Sequence, residues 1–119
     1  MFRSNSDAER LRIKDGGSAT GQFVARAWIY FNGTGTPAIR DSHNVGSITD
    51  VGTGYWDINF STNMANTNYC VVAQSNVTVG WVGSGTNIIN QATDKYRHQH
   101  TDNNQVMDTP EIRSVVFGD

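Results

Sequence analysis

The fold is decided by the stretch FVARAWIYF, which spans residues 23–31. In an extended chain, neighbouring side chains point to opposite faces of the sheet. One face of this run carries Phe23, Ala25, Ala27, Ile29 and Phe31. The other face carries Val24, Arg26, Trp28 and Tyr30. Because both faces are largely apolar, the stretch predicts a strand at the centre of a sheet or beneath an interface, ended by the turn-forming residues 32–37.

A β-hairpin is predicted over residues 48–60, where a Gly-rich turn at 50–54 precedes a second alternating run. One face of that run carries Trp56, Ile58 and Phe60, and the other carries Tyr55, Asp57 and Asn59. Further extended runs are predicted at 38–41, 45–49, 69–73, 77–82, 87–91, 95–101 and 113–117. A long polar loop is expected over residues 101–110.

Seven or more short strands separated by turn signals predict an all-β fold. We expect an antiparallel β-sandwich, or a jelly-roll-like module, that forms a single domain over residues 23–119. Residues 1–22 are expected to be a lead-in that forms either a short strand and turn or a short helix.

The composition argues against several classes of protein. The chain has 119 residues and a formal net charge of −2, which does not favour a nucleic-acid-binding surface. We expect neither a membrane span nor a secretion signal, because no apolar run is long enough and the N-terminal residues are charged. The single cysteine, Cys70, excludes an internal disulfide, and its place in an apolar run predicts a buried, inert thiol.

Several segments occur in a distinctive order. They are residues 27–36 (AWIYFNGTGT), 39–42 (IRDS), 44–45 (NV), 47–50 (SITD), 57–60 (DINF), 69–72 (YCVV) and 114–118 (SVVFG), preceded by 9–13 (ERLRI). This succession resembles a module found near the C-termini of tailed-bacteriophage tail-fibre and virion structural proteins. The resemblance is good over residues 24–75, fair at 9–13 and 113–118, and poor between 76 and 112.

The resemblance implies a homotrimer located on the virion, in a tail fibre or on the particle surface, alongside other fibre or virion proteins. Such a module attaches to a receptor on the host surface, a glycan or a protein, without catalysis, cofactor, nucleic acid or membrane insertion. The alternative is a capsid or tail decoration or spike protein with a purely structural role. A third reading is a polysaccharide-degrading enzyme domain, since carboxylates paired across strands are invisible in a sequence.

Trimer contacts are expected at Val24, Trp28 and Tyr30, on the second apolar face of the strand predicted over residues 23–31. The alternative is that these side chains belong to the core of a two-sheet monomer.

A carbohydrate site needs an exposed aromatic platform with amides and hydroxyls around it. Aromatic candidates are Tyr55, Trp56, Trp81 and Tyr96. Polar candidates are Asn87, Gln91, Gln99, Asn103, Asn104 and Gln105. Because loops that select a receptor vary, we expect the site in residues 80–110 and favour Trp81, Tyr96, Asn87, Gln91, Asn103 and Asn104. For Trp56 and Trp81, a place in the core or in a trimer contact is the alternative.

A metal site is a further candidate at His98 and His100, which share one face of a predicted strand. Some phage fibres hold a metal ion with such a pair from each of three chains, so the resemblance suggests six imidazoles around a threefold axis. The alternative is a pair of histidines that are hydrogen-bonded or solvated. No other cofactor is predicted.

Overall fold

The computed structural model describes residues 12–13, 19–20, 24–76 and 83–118, and within these the regular secondary structure is entirely β. The strands are Arg12–Ile13 (β1), Ala19–Thr20 (β2), Ala25–Asn32 (β3), Ala38–His43 (β4), Val45–Gly52 (β5), Tyr55–Phe60 (β6), Cys70–Ser75 (β7), Gly85–Ile89 (β8), Lys95–Asp102 (β9), Gln105–Val106 (β10) and Ile112–Phe117 (β11). No helix in these residues has the length and apolar character that a membrane crossing requires.

Two antiparallel sheets pack face to face, which confirms the predicted β-sandwich. The first sheet has the strand order β4–β3–β11–β7. The second has β9 at its centre, paired on one side with β8 and on the other with β6 and the short β10, while β5 continues the sheet beyond β6. β1 and β2 form a separate two-stranded ladder within the lead-in.

The strand predicted over residues 23–31 is β3, and it lies where its two apolar faces predict. β3 is central, between β4 and β11. Its inward side chains, Ala27, Ile29 and Phe31, are all buried, as the alternation predicts. Phe23, at the start of the predicted strand, lies outside the described residues.

The core is built from large side chains of both sheets. The largest buried ones are Trp56, Tyr96, Phe31, Ile29, Ile58 and Ile112. The rings of Phe31 and Trp56 meet edge to face, with centroids 5.6 Å apart, so they join the two sheets directly. Complete burial of each such side chain contributes about 1.5–3 kcal/mol to folding.

The chain crosses from one sheet to the other at Asn44, between β4 and β5. Asn44 has a φ of 54°, a left-handed conformation that asparagine tolerates better than most residues. Its side chain accepts a hydrogen bond from the Thr62 backbone amide at 2.7 Å and donates to the Thr62 carbonyl at 3.1 Å. The turn is therefore held against the segment that follows β6.

Two predictions about local structure are wrong. Cys70 is exposed, because the inward positions of the edge strand β7 are Val71, Ala73 and Ser75. The stretch 101–110 is not one long loop, since β9 and β10 pair across a tight turn at Asn103 and Asn104. Both asparagines have positive φ, 53° and 60°, as a two-residue hairpin turn of this hand requires. The predicted strand at 77–82 lies outside the described residues.

The packing between the sheets can be tested by a substitution at Gly33. A Cβ atom on Gly33 would lie 2.4 Å from Cζ2 of Trp56 and 2.9 Å from Cδ1 of Ile112. We expect Gly33→Ala to lower the free energy of unfolding by about 1–3 kcal/mol, because the core must shift to admit the methyl group. Gly52→Ala is the matched control, since a Cβ there meets nothing within 4 Å. Equal urea midpoints for the two variants would contradict this packing.

Candidate functional site

The outer surface of the five-stranded sheet carries three cross-strand rows of side chains that are polar apart from Ile89, and we call this surface the polar face. The strand register aligns them. The first row is Asn87–Gln99–Tyr55, the second is Ile89–Arg97–Asp57–Thr49, and the third is Lys95–Asn59–Ser47. Because β6 and β9 alternate strictly, the same strands send Trp56, Ile58, Tyr96 and His98 into the core.

Hydrogen bonds order the first and third rows. Asn87 Nδ2 donates to Gln99 Oε1 at 3.3 Å, and Gln99 Nε2 donates to the Tyr55 hydroxyl at 3.0 Å. Asn59 Nδ2 donates to Ser47 Oγ and to Thr49 Oγ1, each at 3.0 Å. The amides and hydroxyls are therefore held in place before any ligand arrives, which lowers the entropy that binding must overcome.

Charges occupy the middle of the polar face. Asp57 accepts hydrogen bonds from Arg97 Nε at 2.7 Å, from Arg97 Nη2 at 3.2 Å and from Lys95 Nζ at 3.3 Å. The hydrogen bond from Arg97 holds the pKa of Asp57 below its usual value, although burial opposes the shift. The Asp57 side chain is only 6% exposed, whereas those of Lys95 and Arg97 are 41% and 27% exposed. A molecule approaching this face thus meets the cations before the carboxylate.

The outer surface of the four-stranded sheet is different in character, and we call it the apolar face. Its apolar members are Trp28 and Tyr30 on β3, Val72 on β7, and Val115 and Phe117 on β11, and the polar side chains of Gln74 and Arg113 lie beside them. A groove of about 420 Å³ runs between these strands, from Trp28 to Val72 and Val115. Val72 is 57% exposed and Phe117 is 36% exposed.

Tyr30 is held rigidly at one end of the apolar face. The guanidinium of Arg113 lies 4.2 Å from the centre of its ring, and that of Arg40 lies 5.2 Å away. The Tyr30 hydroxyl donates to Glu111 Oε1 at 3.0 Å. Stacked guanidinium groups of this kind add about 0.5–1 kcal/mol at exposed sites.

The predicted trimer contacts Val24, Trp28 and Tyr30 are all half-buried. Trp28 and Tyr30 lie on the apolar face and line its groove. Val24 immediately precedes β3, in a bend.

The predicted ligand-binding residues do not form one cluster. Asn87 lies on the polar face. Gln91 instead joins two loops, since its Nε2 donates to the Tyr69 carbonyl at 3.0 Å. Asn103 and Asn104 are exposed in the β9–β10 turn. Trp81 lies outside the described residues.

Tyr96 cannot serve as an exposed platform, because it is fully buried and hydrogen-bonded to Ser114 Oγ at 2.5 Å. Trp56 is also buried, in agreement with the core alternative. Of the described aromatic candidates, Tyr55 is the one on the polar face. Sequence reasoning did not select Arg97, Lys95 or Asp57, although their period-two spacing around the buried positions is a signal for this face.

His98 and His100 do share a face, but it is the inner face of β9. Three chains can share a metal only through ligands at their surfaces, and both imidazoles are instead inside a single chain. Within the described residues, no group of three His, Cys, Asp or Glu side chains is arranged to hold a metal ion.

The two histidines differ in their partners. His100 Nδ1 lies 2.7 Å from Ser75 Oγ, which also contacts the hydroxyl of Thr86, so this chain of groups joins β7, β8 and β9. His98 packs near the rings of Phe31 and Trp56, and neither of its ring nitrogens has a hydrogen-bond partner among the described residues. Burial lowers the pKa of His98 to about 3.

No family model matches the chain, and no curated protein or solved structure is significantly similar to it. The two outer faces therefore carry the functional interpretation, together with the sequence resemblance described above.

The buried His98 predicts a loss of stability in acid. Its folded pKa is below its unfolded value near 6.5, so between about pH 6.5 and 3 the unfolded chain binds a proton that the folded chain does not. Stability from this residue is thus complete above pH 6.5 and falls by up to about 1.4 kcal/mol per pH unit below it.

We expect His98→Phe to remove this contribution. The difference in unfolding free energy between variant and parent, from urea titrations at successive pH values, should grow in favour of the variant as the pH falls from 6.5 towards 4. Parallel curves for the two proteins would show that His98 is not held neutral in the core.

Proposed function

We propose that the protein is a non-catalytic adhesive module of a tailed-phage fibre or virion surface, which self-associates through its apolar face and binds carbohydrate through its polar face. The observation that supports this most is the contrast between the two outer faces of the sandwich. One carries a group of exposed and half-buried apolar side chains, and the other an ordered set of amides, hydroxyls and charges around Tyr55. The resemblance over residues 24–75 points to the same class of protein.

The apolar face favours association with further copies of the chain. Soluble monomers rarely leave large contiguous apolar patches in water, and such patches commonly mark protein contacts. The groove from Trp28 to Val72 and the exposed Phe117 supply apolar surface that a further copy of the chain could cover. A homotrimer, which the resemblance implies, would bury it and leave the opposite, polar sheet facing outwards.

The polar face favours a sugar ligand. Sugar rings stack on exposed aromatic side chains while their hydroxyls bond to amides, and Tyr55 with Gln99 and Asn87 offers both kinds of contact. A flat, open face of this kind gives weak single-site affinity. Three copies acting together on one cell surface raise the overall avidity by a factor of about 10²–10⁴.

The proposed self-association is tested by Val72→Glu. A carboxylate at this exposed position of the apolar face, beside Val115, would have to lose its water on association, so we expect the variant to be monomeric where the parent is trimeric. Val51→Glu is the matched control, because Val51 is similarly exposed on the opposite sheet. The native masses of the parent and the two variants are measured in solution. A monomeric parent would contradict the proposal.

The proposed binding is tested on a glycan array with Tyr55→Ala and Gln99→Ala. We expect each variant to lose at least about tenfold in affinity for any glycan that the parent binds, since each removes a stacking surface or two hydrogen bonds. Gln105→Ala is the control, because the structure places this exposed side chain on β10, outside the three rows of the polar face. Binding of no glycan would favour the purely structural decoration role, and release of shorter sugars would favour the enzyme.

A further inference from the structure

We propose that the carbohydrate bound by the polar face is anionic, and that the Lys95 ammonium group, beside Arg97, receives its negative charge. This inference rests on the proposed function and names the chemical class of its ligand. The three rows of the polar face contain three charged side chains: Lys95, Arg97 and Asp57. Two cations and one carboxylate leave this surface with one positive charge, whereas the whole chain carries −2.

The depths at which the charged groups lie favour an anionic ligand more strongly than the net charge of the face does by itself. The carboxylate of Asp57 is covered, and its two oxygens already accept three hydrogen bonds. The Lys95 ammonium uses one donor on Asp57 at 3.3 Å, which leaves two donors for a ligand. Because Asp57 is 6% exposed and Lys95 is 41% exposed, a ligand can reach the Lys95 ammonium group while the compensating carboxylate stays covered.

The position of the charges fits a sugar chain. Successive rows of a strand face are about 7 Å apart, so the row of Arg97 and Asp57 lies next to Tyr55 and Gln99, and Lys95 reaches into it from the following row to contact Asp57. A sugar ring stacked on Tyr55 would therefore place a substituent of its neighbour over Arg97 and Lys95. The ordered hydroxyls and amide of Ser47, Thr49 and Asn59 lie beside the charged pair, in the same two rows. The face can contact more than one ring, with the anion in the middle.

The test uses three oligosaccharides of equal length: a neutral one, one with hexuronic acid units and one with sulfate esters. Affinities of the intact parent protein are measured by calorimetry at low and high salt. We expect the parent to bind at least one anionic oligosaccharide about tenfold or more tightly than the neutral one, with a preference that weakens as salt rises. The two anionic ligands distinguish carboxylate from sulfate as the source of the charge.

Lys95→Gln is the decisive variant. It should lower the affinity for the anionic oligosaccharides far more than the affinity for the neutral one, and the protein should remain folded because Arg97 still pairs with Asp57. Lys95→Arg should restore the preference. Arg40→Gln is the matched control, since it removes the same charge from β4 on the other sheet.

Failure of the anionic-ligand proposal can be distinguished from failure of the proposed function. If the neutral and anionic oligosaccharides bind equally, or if Lys95→Gln keeps the preference, the anionic ligand is refuted while the carbohydrate-binding module stands. If no oligosaccharide binds to the parent, the proposed function itself fails, and the inference falls with it.

Discussion

The contact of Trp56 with the opposite sheet is the constraint on which the rest of the structure depends. Its ring packs edge to face on Phe31, and it lies so close to the backbone of residue 33 that a Cβ atom there would clash with it. This contact sets the spacing of the two sheets where β3 ends and β6 begins. Once Trp56 points inwards, strict alternation along β6 sends Tyr55, Asp57 and Asn59 to the outer surface. The same constraint passes through the register to β9, whose Tyr96 and His98 are inside and whose Arg97 and Gln99 are outside.

The core includes polar atoms that a purely apolar design would avoid. Trp56 Nε1 and both ring nitrogens of His98 have no partner among the described residues. A buried imidazole without a partner costs stability, and burial keeps it neutral by lowering its pKa. His100 avoids much of that cost, because Ser75 supplies a hydrogen-bond partner across the seam where β7 approaches β8.

The sequence was informative wherever a single strand carried its own signal. The two apolar faces of residues 23–31 predicted a central strand, and the alternation of residues 55–60 predicted the hairpin, since both patterns are local. Prediction failed at Cys70, because an apolar run on an edge strand does not reveal which of its faces is inward. It failed again at Tyr96, where aromatic character suggested a platform although the charged residues on either side of it already indicated an inward position.

For the candidate site, too, local patterns were predictable from the sequence and relations between distant strands were not. The sequence by itself determined the all-β class, the main strands and the side chains that share each strand's face, because these follow from a period of two residues. Only the tertiary structure decided that Asn87, Gln99 and Tyr55 form one row, that Asp57 lies beneath Lys95 and Arg97, and that the histidine pair is buried. Those relations depend on which strands pair and in what register, and strand pairing joins residues far apart in the chain, where no local pattern records it.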